Sequence, residues 1–85
     1  MTEKEIQLLG FEKQEVTAEE SGGNPYHYYT YTIARGFELF SCASDEVDES
    51  GEWYIEFFES DPTIRFTKFA EVQSLINLLE KRIIK

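Results

Sequence analysis

The segment YHYYTYTIARGFELFSCA, residues 26–43, decides the fold. Its first nine residues are aromatic, β-branched or otherwise at home in a strand, which favours a pleated, half-buried surface over a helix. Alternation puts His27, Tyr29, Tyr31 and Ile33 on one face and Tyr26, Tyr28, Thr30 and Thr32 on the other. Arg35-Gly36 is a short turn in which glycine supplies a positive φ. The chain then returns as a second strand, with Phe37, Leu39 and Ser41 on one face and Glu38, Phe40 and Cys42 on the other. The segment is an antiparallel hairpin.

Downstream, SDEVDESG (44–51) reads as a solvated acidic loop, and EWYIEFFES (52–60) as the next strand of a meander. Trp53, Ile55 and Phe57 share one face there, and Tyr54, Glu56 and Phe58 the other. The acids lie in loops and at an outward strand position, where they guard an apolar strand against aggregation. SDP turns the chain, and TIRF forms a short strand with Ile64 and Phe66 inward and Arg65 outward, beside Glu56 across the strands. TKFAEVQSLINLLEKRIIK (67–85) carries the helical period. Phe69, Val72, Ile76, Leu79 and Ile83 recur every three or four residues, with Leu75 beside them. Thr67 is the expected cap, and Glu71 near the start and Lys81, Arg82 and Lys85 at the end complement the helix dipole.

Upstream, TEKEIQLL begins as a short helix that Gly10 breaks, and FEKQEV leads into a strand. TAEESGGNP (17–25) reads as turn throughout: two glycines permit positive φ, and Pro25 restricts Asn24.

Eighty-five residues are enough for one domain with a modest core. The seven Phe, five Tyr and single Trp bury much area per side chain, so a short chain closes without staples. The lone cysteine, Cys42, cannot form an intramolecular disulfide, and the first residues lack the basic start and apolar run of a signal peptide. No stretch is apolar for the roughly 18 residues that mark a membrane span. A soluble cytoplasmic protein is expected. The formal net charge of −9 makes nucleic acid and anionic membranes poor direct partners, since phosphate is bound by Lys and Arg.

Chemistry-bearing patterns are scarce. A Cys–His nucleophile needs Cys42 beside His27, and the face assignment separates them. A structural zinc site wants four Cys or His ligands, and the chain has two such residues. The acidic loop lacks the D-x-[DN]-x-[DN]-G spacing of a calcium loop, and SGGNP lacks the lysine and spacing of a phosphate-binding loop. No catalytic, metal or cofactor residue is assigned. Tyrosines on a strand can stack nucleobases, but no basic groove accompanies Tyr26, Tyr28 and Tyr31.

The arrangement LLGFEK…ESGGNPYHYYTYTI…GFELFSCASDE…GEWYIEFFES…IRFTKFAEVQSLINLLE resembles small uncharacterised accessory proteins of bacteriophages and their bacterial hosts. The resemblance covers nearly the whole chain and rests on structural features: the Leu-Gly-Phe start, the aromatic hairpin, the Trp strand and the C-terminal helix. It imports no catalytic residue. It implies a small intracellular protein of the kind that acts by binding a host or phage protein.

The expected fold is α+β, an antiparallel sheet of about four strands in meander order after the first, with the C-terminal helix across one face. The expected function is a non-enzymatic protein-binding module, with a nucleic-acid mimic as the alternative. Such a mimic would carry its charge on Asp45, Glu46, Asp48, Glu49, Glu52, Glu56, Glu59 and Asp61. The helix covers one side of the sheet, which leaves Tyr28, Phe40, Tyr54 and Phe58 together on the other, where a one-sided sheet would be polar. Three covers are available to them: the N-terminal segment around Ile6 and Leu9, a second copy, or a foreign partner. The few apolar residues of the N-terminal segment favour another chain, most simply a homodimer.

Overall fold

The structure is a computed structural model that describes residues 1–57 and 60–84. In chain order its elements are α1 (Glu3–Leu8), β1 (Glu12–Val16), α2 (Ala18–Ser21), β2 (Tyr26–Ala34), β3 (Phe37–Ser41), β4 (Ile55–Phe57), β5 (Arg65–Phe66) and α3 (Phe69–Glu80). The sheet has five strands in the order β1-β2-β3-β4-β5, every neighbouring pair antiparallel. The fold is therefore the expected α+β antiparallel meander, with five strands where about four are expected. The first strand joins the meander too: β1 pairs with β2 from Glu12↔Thr30 to Val16↔Tyr26.

The pairing fixes the faces. Tyr31 lies opposite Leu39, Leu39 opposite Phe57, Ser41 opposite Ile55, and Ile55 opposite Phe66. These residues and Tyr29 share the inner face. Tyr29, Leu39 and Ile55 are fully buried there. Each such side chain taken out of water contributes about 1.5–3 kcal/mol before entropy is counted. Rings interlock across the strands: Phe11 with Tyr31 at 5.3 Å between centroids, and Phe57 edge-on to both Phe37 and Phe66 at 5.8 Å.

Both longer helices cover this inner face. α3 contributes Val72 and Ile76 to the core, with Leu75 packed against it, and Glu80 accepts a hydrogen bond from the Tyr31 hydroxyl at 3.0 Å. α1 buries Ile6, and its Glu3 and Gln7 both bond the hydroxyl of Tyr29, two residues from Tyr31 on the same strand. The N-terminal segment thus lies on the side that α3 covers, not on the opposite side.

Side chains shape the helix starts. Thr2 Oγ1 accepts from the Glu5 amide at 3.2 Å while Glu5 Oε1 accepts from the Thr2 amide at 2.8 Å, a reciprocal cap. Thr17 and Glu20 repeat it, which makes α2 out of a stretch of the expected 17–25 turn before Gly22 ends it at φ 74°. At α3 the expected cap is displaced: Lys68 is the N-cap and makes no side-chain capping bond. The Thr67 carbonyl instead accepts from the Met1 nitrogen at 2.7 Å. α3 also stops at Glu80, so Lys81 is its C-cap, Arg82 and Ile83 lie beyond the helix, and Lys85 falls outside the described residues. Ile64 precedes β5 and is 46 % exposed, so of the two inward assignments in TIRF only Phe66 is met. The acidic loop contains a 3-10 turn at Ser44–Glu46.

Candidate functional site

With both longer helices on the inner face, the outer face is built by alternate residues of the strands. Gln14 lies opposite Tyr28, Val16 opposite Tyr26, Thr30 opposite Phe40, and Phe40 opposite Glu56, which is in turn opposite Arg65. Neither α1 nor α3 lies on this side, and the 3-10 turn Ser44–Glu46 borders it. Tyr26, Tyr28, Phe40 and Tyr54 are all half-buried there. Tyr28, Phe40 and Tyr54 thus occupy the face expected of them, and Phe58 lies outside the described residues.

A groove of about 390 Å³ opens on this face. Tyr26, Tyr28, Thr30 and Phe40 line it, with the carboxylates of Glu38 and Glu46 at its sides. Glu46 reaches it because the 3-10 turn brings the acidic loop up beside β2, where the Ser44 hydroxyl accepts the His27 amide at 3.1 Å. Ser41 does the same further along β2, accepting the Tyr29 amide at 2.9 Å. Serines thus satisfy backbone donors where β2 runs past the end of β3.

Beyond the groove, Arg65 lays its guanidinium over the Tyr54 ring, 3.9 Å from the centroid. It donates to Glu56 Oε2 from Nε at 3.0 Å and from Nη2 at 2.8 Å, the cross-strand pairing the sequence predicts. The carboxylate next to it holds the Arg65 guanidinium above its usual pKa.

The acidic candidates do not form one stripe. Asp45, Glu46, Asp48, Glu49 and Glu52 lie on the connection from β3 to β4, while Asp61 lies on the connection from β4 to β5, at the opposite end of an antiparallel meander. Glu52 pairs with the Met1 ammonium at 3.2 Å, and Glu56 with Arg65. Asp48 accepts the amide and hydroxyl of Ser50, and these bonds hold its carboxyl below the usual value. Glu59 lies outside the described residues.

The inner face holds a polar cluster that the sequence reading missed. Glu3 Oε2 accepts from the Tyr29 hydroxyl at 2.7 Å and meets His27 Nε2 at 2.6 Å, and Gln7 Nε2 donates to the Tyr29 hydroxyl at 2.9 Å. The His27 ring stacks on Trp53, centroids 5.8 Å apart. Burial works against the Glu3 charge, but the hydrogen bonds from Tyr29 and His27 and the charges of His27 and Lys13 prevail and hold its carboxyl below the ordinary range. Burial and the Glu3 bond push the Tyr29 phenol up. The cluster pins α1 to the sheet. Only tertiary folding joins residues 3 and 27, so no local pattern announces it. Cys42 is buried, and that burial raises its thiol, which makes it a poor nucleophile. Among the described residues, no group of three or more His, Cys, Asp or Glu is placed to hold a metal ion. None of their helices is long and apolar enough to cross a membrane.

No protein-family model, no curated protein and no solved structure matches the chain.

Proposed function

We propose that the protein is a small acidic, non-enzymatic protein-binding module, an intracellular accessory protein that docks its partner on the outer face of the sheet. The observation that carries this reading is the set Tyr26, Tyr28, Phe40 and Tyr54, half-buried on the face opposite α1 and α3. Aromatic side chains present large, stiff, amphipathic area and are enriched where proteins meet. Acids at the margin suit the polar rim of such an interface. The nucleic-acid-mimic alternative has less behind it, because Glu52 and Glu56 are paired and Asp61 sits at the far end of the sheet.

The test is affinity capture from a lysate of the source cells, with the full chain immobilised. Wild type is compared with Phe40→Asp, with the outward helix control Gln73→Asp, and with the loop variant Asp48→Asn/Glu49→Gln. A species held by wild type, the helix control and the loop variant but lost on Phe40→Asp supports docking on the outer face. Loss on the loop variant with retention on Phe40→Asp supports the mimic. Identical capture by all four proteins contradicts both.

A further inference from the structure

We propose that the groove on the outer face receives a basic polypeptide segment, with arginine side chains laid on its tyrosine rings and bonded by Glu46 at one end and Glu38 at the other. This rests on the outer face being the binding surface and names the chemistry of what it binds.

The lining is the first reason. The groove combines the rings of Tyr26, Tyr28 and Phe40 with two carboxylates, and no Lys or Arg is among its described lining residues. Neither acid takes part in a described ion pair. Glu38 Oε1 accepts the Thr32 hydroxyl at 3.3 Å, and Glu46 Oε1 accepts the Ala43 amide at 3.0 Å. These are bonds from neutral donors, and among the described residues no cation is paired with either carboxylate. An aromatic face attracts a cation through its quadrupole, and a carboxylate beside it fixes the guanidinium plane.

The second reason is that the same face already uses this arrangement within the chain. Arg65 stacks on Tyr54 and donates twice to Glu56. Around the groove, Tyr26 and Tyr28 on β2, Glu38 on β3 and Glu46 on the 3-10 turn supply the same kinds of side chain, aromatic ring and carboxylate, without the arginine. A partner's arginine completes it.

Shape and charge agree. Tyr26, Tyr28 and Thr30 are three successive outward positions of β2. They span about 13 Å at ~3.3 Å per residue, enough for a short extended segment. The net charge of −9 draws a basic chain toward the domain and repels phosphate. It also opposes a second copy, whose own carboxylates would face these.

The test uses the full chain labelled with ¹⁵N and titrated with a heptapeptide alternating glycine and arginine. A second peptide carries citrulline, the neutral isostere, in place of arginine. We expect amide shifts at Tyr26, Tyr28, Thr30 and Phe40, and about ten-fold weaker binding of the citrulline peptide. Glu38→Gln/Glu46→Gln should weaken arginine binding about ten-fold, and Asp48→Asn/Glu49→Gln, with the same loss of charge, by no more than about two-fold. Unchanged melting temperatures certify that the variants are folded. Equal weakening by the two double variants, equal binding of the two peptides, or shifts confined to other surfaces each overturn the proposal.

Sedimentation of wild type and Phe40→Asp separates the two levels. If the arginine peptide leaves the groove untouched while wild type forms a dimer that Phe40→Asp dissolves, the basic-partner proposal falls and the outer face stands as a binding surface for a second copy. If the peptide does not bind, wild type is monomeric and capture ignores Phe40, both readings fall.

Discussion

The Tyr29 hydroxyl donates to Glu3 Oε2 at 2.7 Å, and this bond ties the first turn of α1 to β2, the first strand of the hairpin. Because α1 is held to the inner side in this way, it is not available to cover Tyr28 and Phe40. The contact therefore bears on the outer face as much as on stability.

It also sets a pH dependence. The folded carboxyl of Glu3 lies below its ordinary value of about 4.3, so the charged form favours the native state. Its contribution is full above the unfolded value and disappears as pH falls through the depressed folded value. The difference in stability between wild type and Glu3→Gln should be present above the ordinary carboxylate range and shrink toward zero as pH falls through the depressed folded value. Glu3 is 37 % exposed, and solvent screening keeps the difference under about 1 kcal/mol. Melts across the acid range measure it. A difference that persists below the folded value would mean that Glu3 acts through packing and not through charge.

α3 should hold the sheet through two side chains. Val72 and Ile76 are buried while Gln73 on the same helix is exposed. Ile76→Ala should cost about 2–5 kcal/mol, the range for truncating a buried aliphatic, and Gln73→Ala less than about 0.5 kcal/mol. Urea titration of both variants checks this. Equal midpoints would show that the helix does not seat on the core through this face.

Much of this was legible because the rules involved are local. Alternation in residues 26–41 assigns Tyr29, Tyr31, Phe37 and Leu39 to one face, and the register bears this out for Tyr31 and Leu39, while a bulge between Thr32 and Ala34 pairs Phe37 with Ala34 and leaves it exposed at the edge. Period alone places Val72 and Ile76 inward. The same alternation places Tyr28, Phe40 and Tyr54 on the opposite face, so the aromatic half of the candidate site was readable. The rest depends on tertiary placement. Glu46 comes to the groove through a 3-10 turn packed beside β2, and Glu38 reads in sequence as an ordinary outward acid. α2 was missed although Thr17 and Glu20 have capping-box spacing, because the following Gly22-Gly23 dominates a turn reading. Thr67 has the chemistry of a cap, but the N-cap falls one residue later, at Lys68.

The hairpin turn gives a prediction about backbone alone. Gly36 has φ 80°, and a Cβ built on it meets no atom within 4 Å. Any cost of substitution is conformational and not steric. Gly36→Ala should destabilise by about 1 kcal/mol, and Gly36→Asn by less, since asparagine tolerates the left-handed region. Chemical denaturation of the two variants gives the ordering. Asparagine costing as much as alanine would place the strain outside the turn.

The most direct measurement is site-specific photo-crosslinking in source cells, with benzoylphenylalanine placed in turn at Tyr28 on the outer face and at Gln73 on the exposed side of α3. Docking on the outer face predicts a discrete adduct from position 28, competed by excess unlabelled protein, and none from position 73. No adduct from position 28, or the same adducts from both positions, would contradict it.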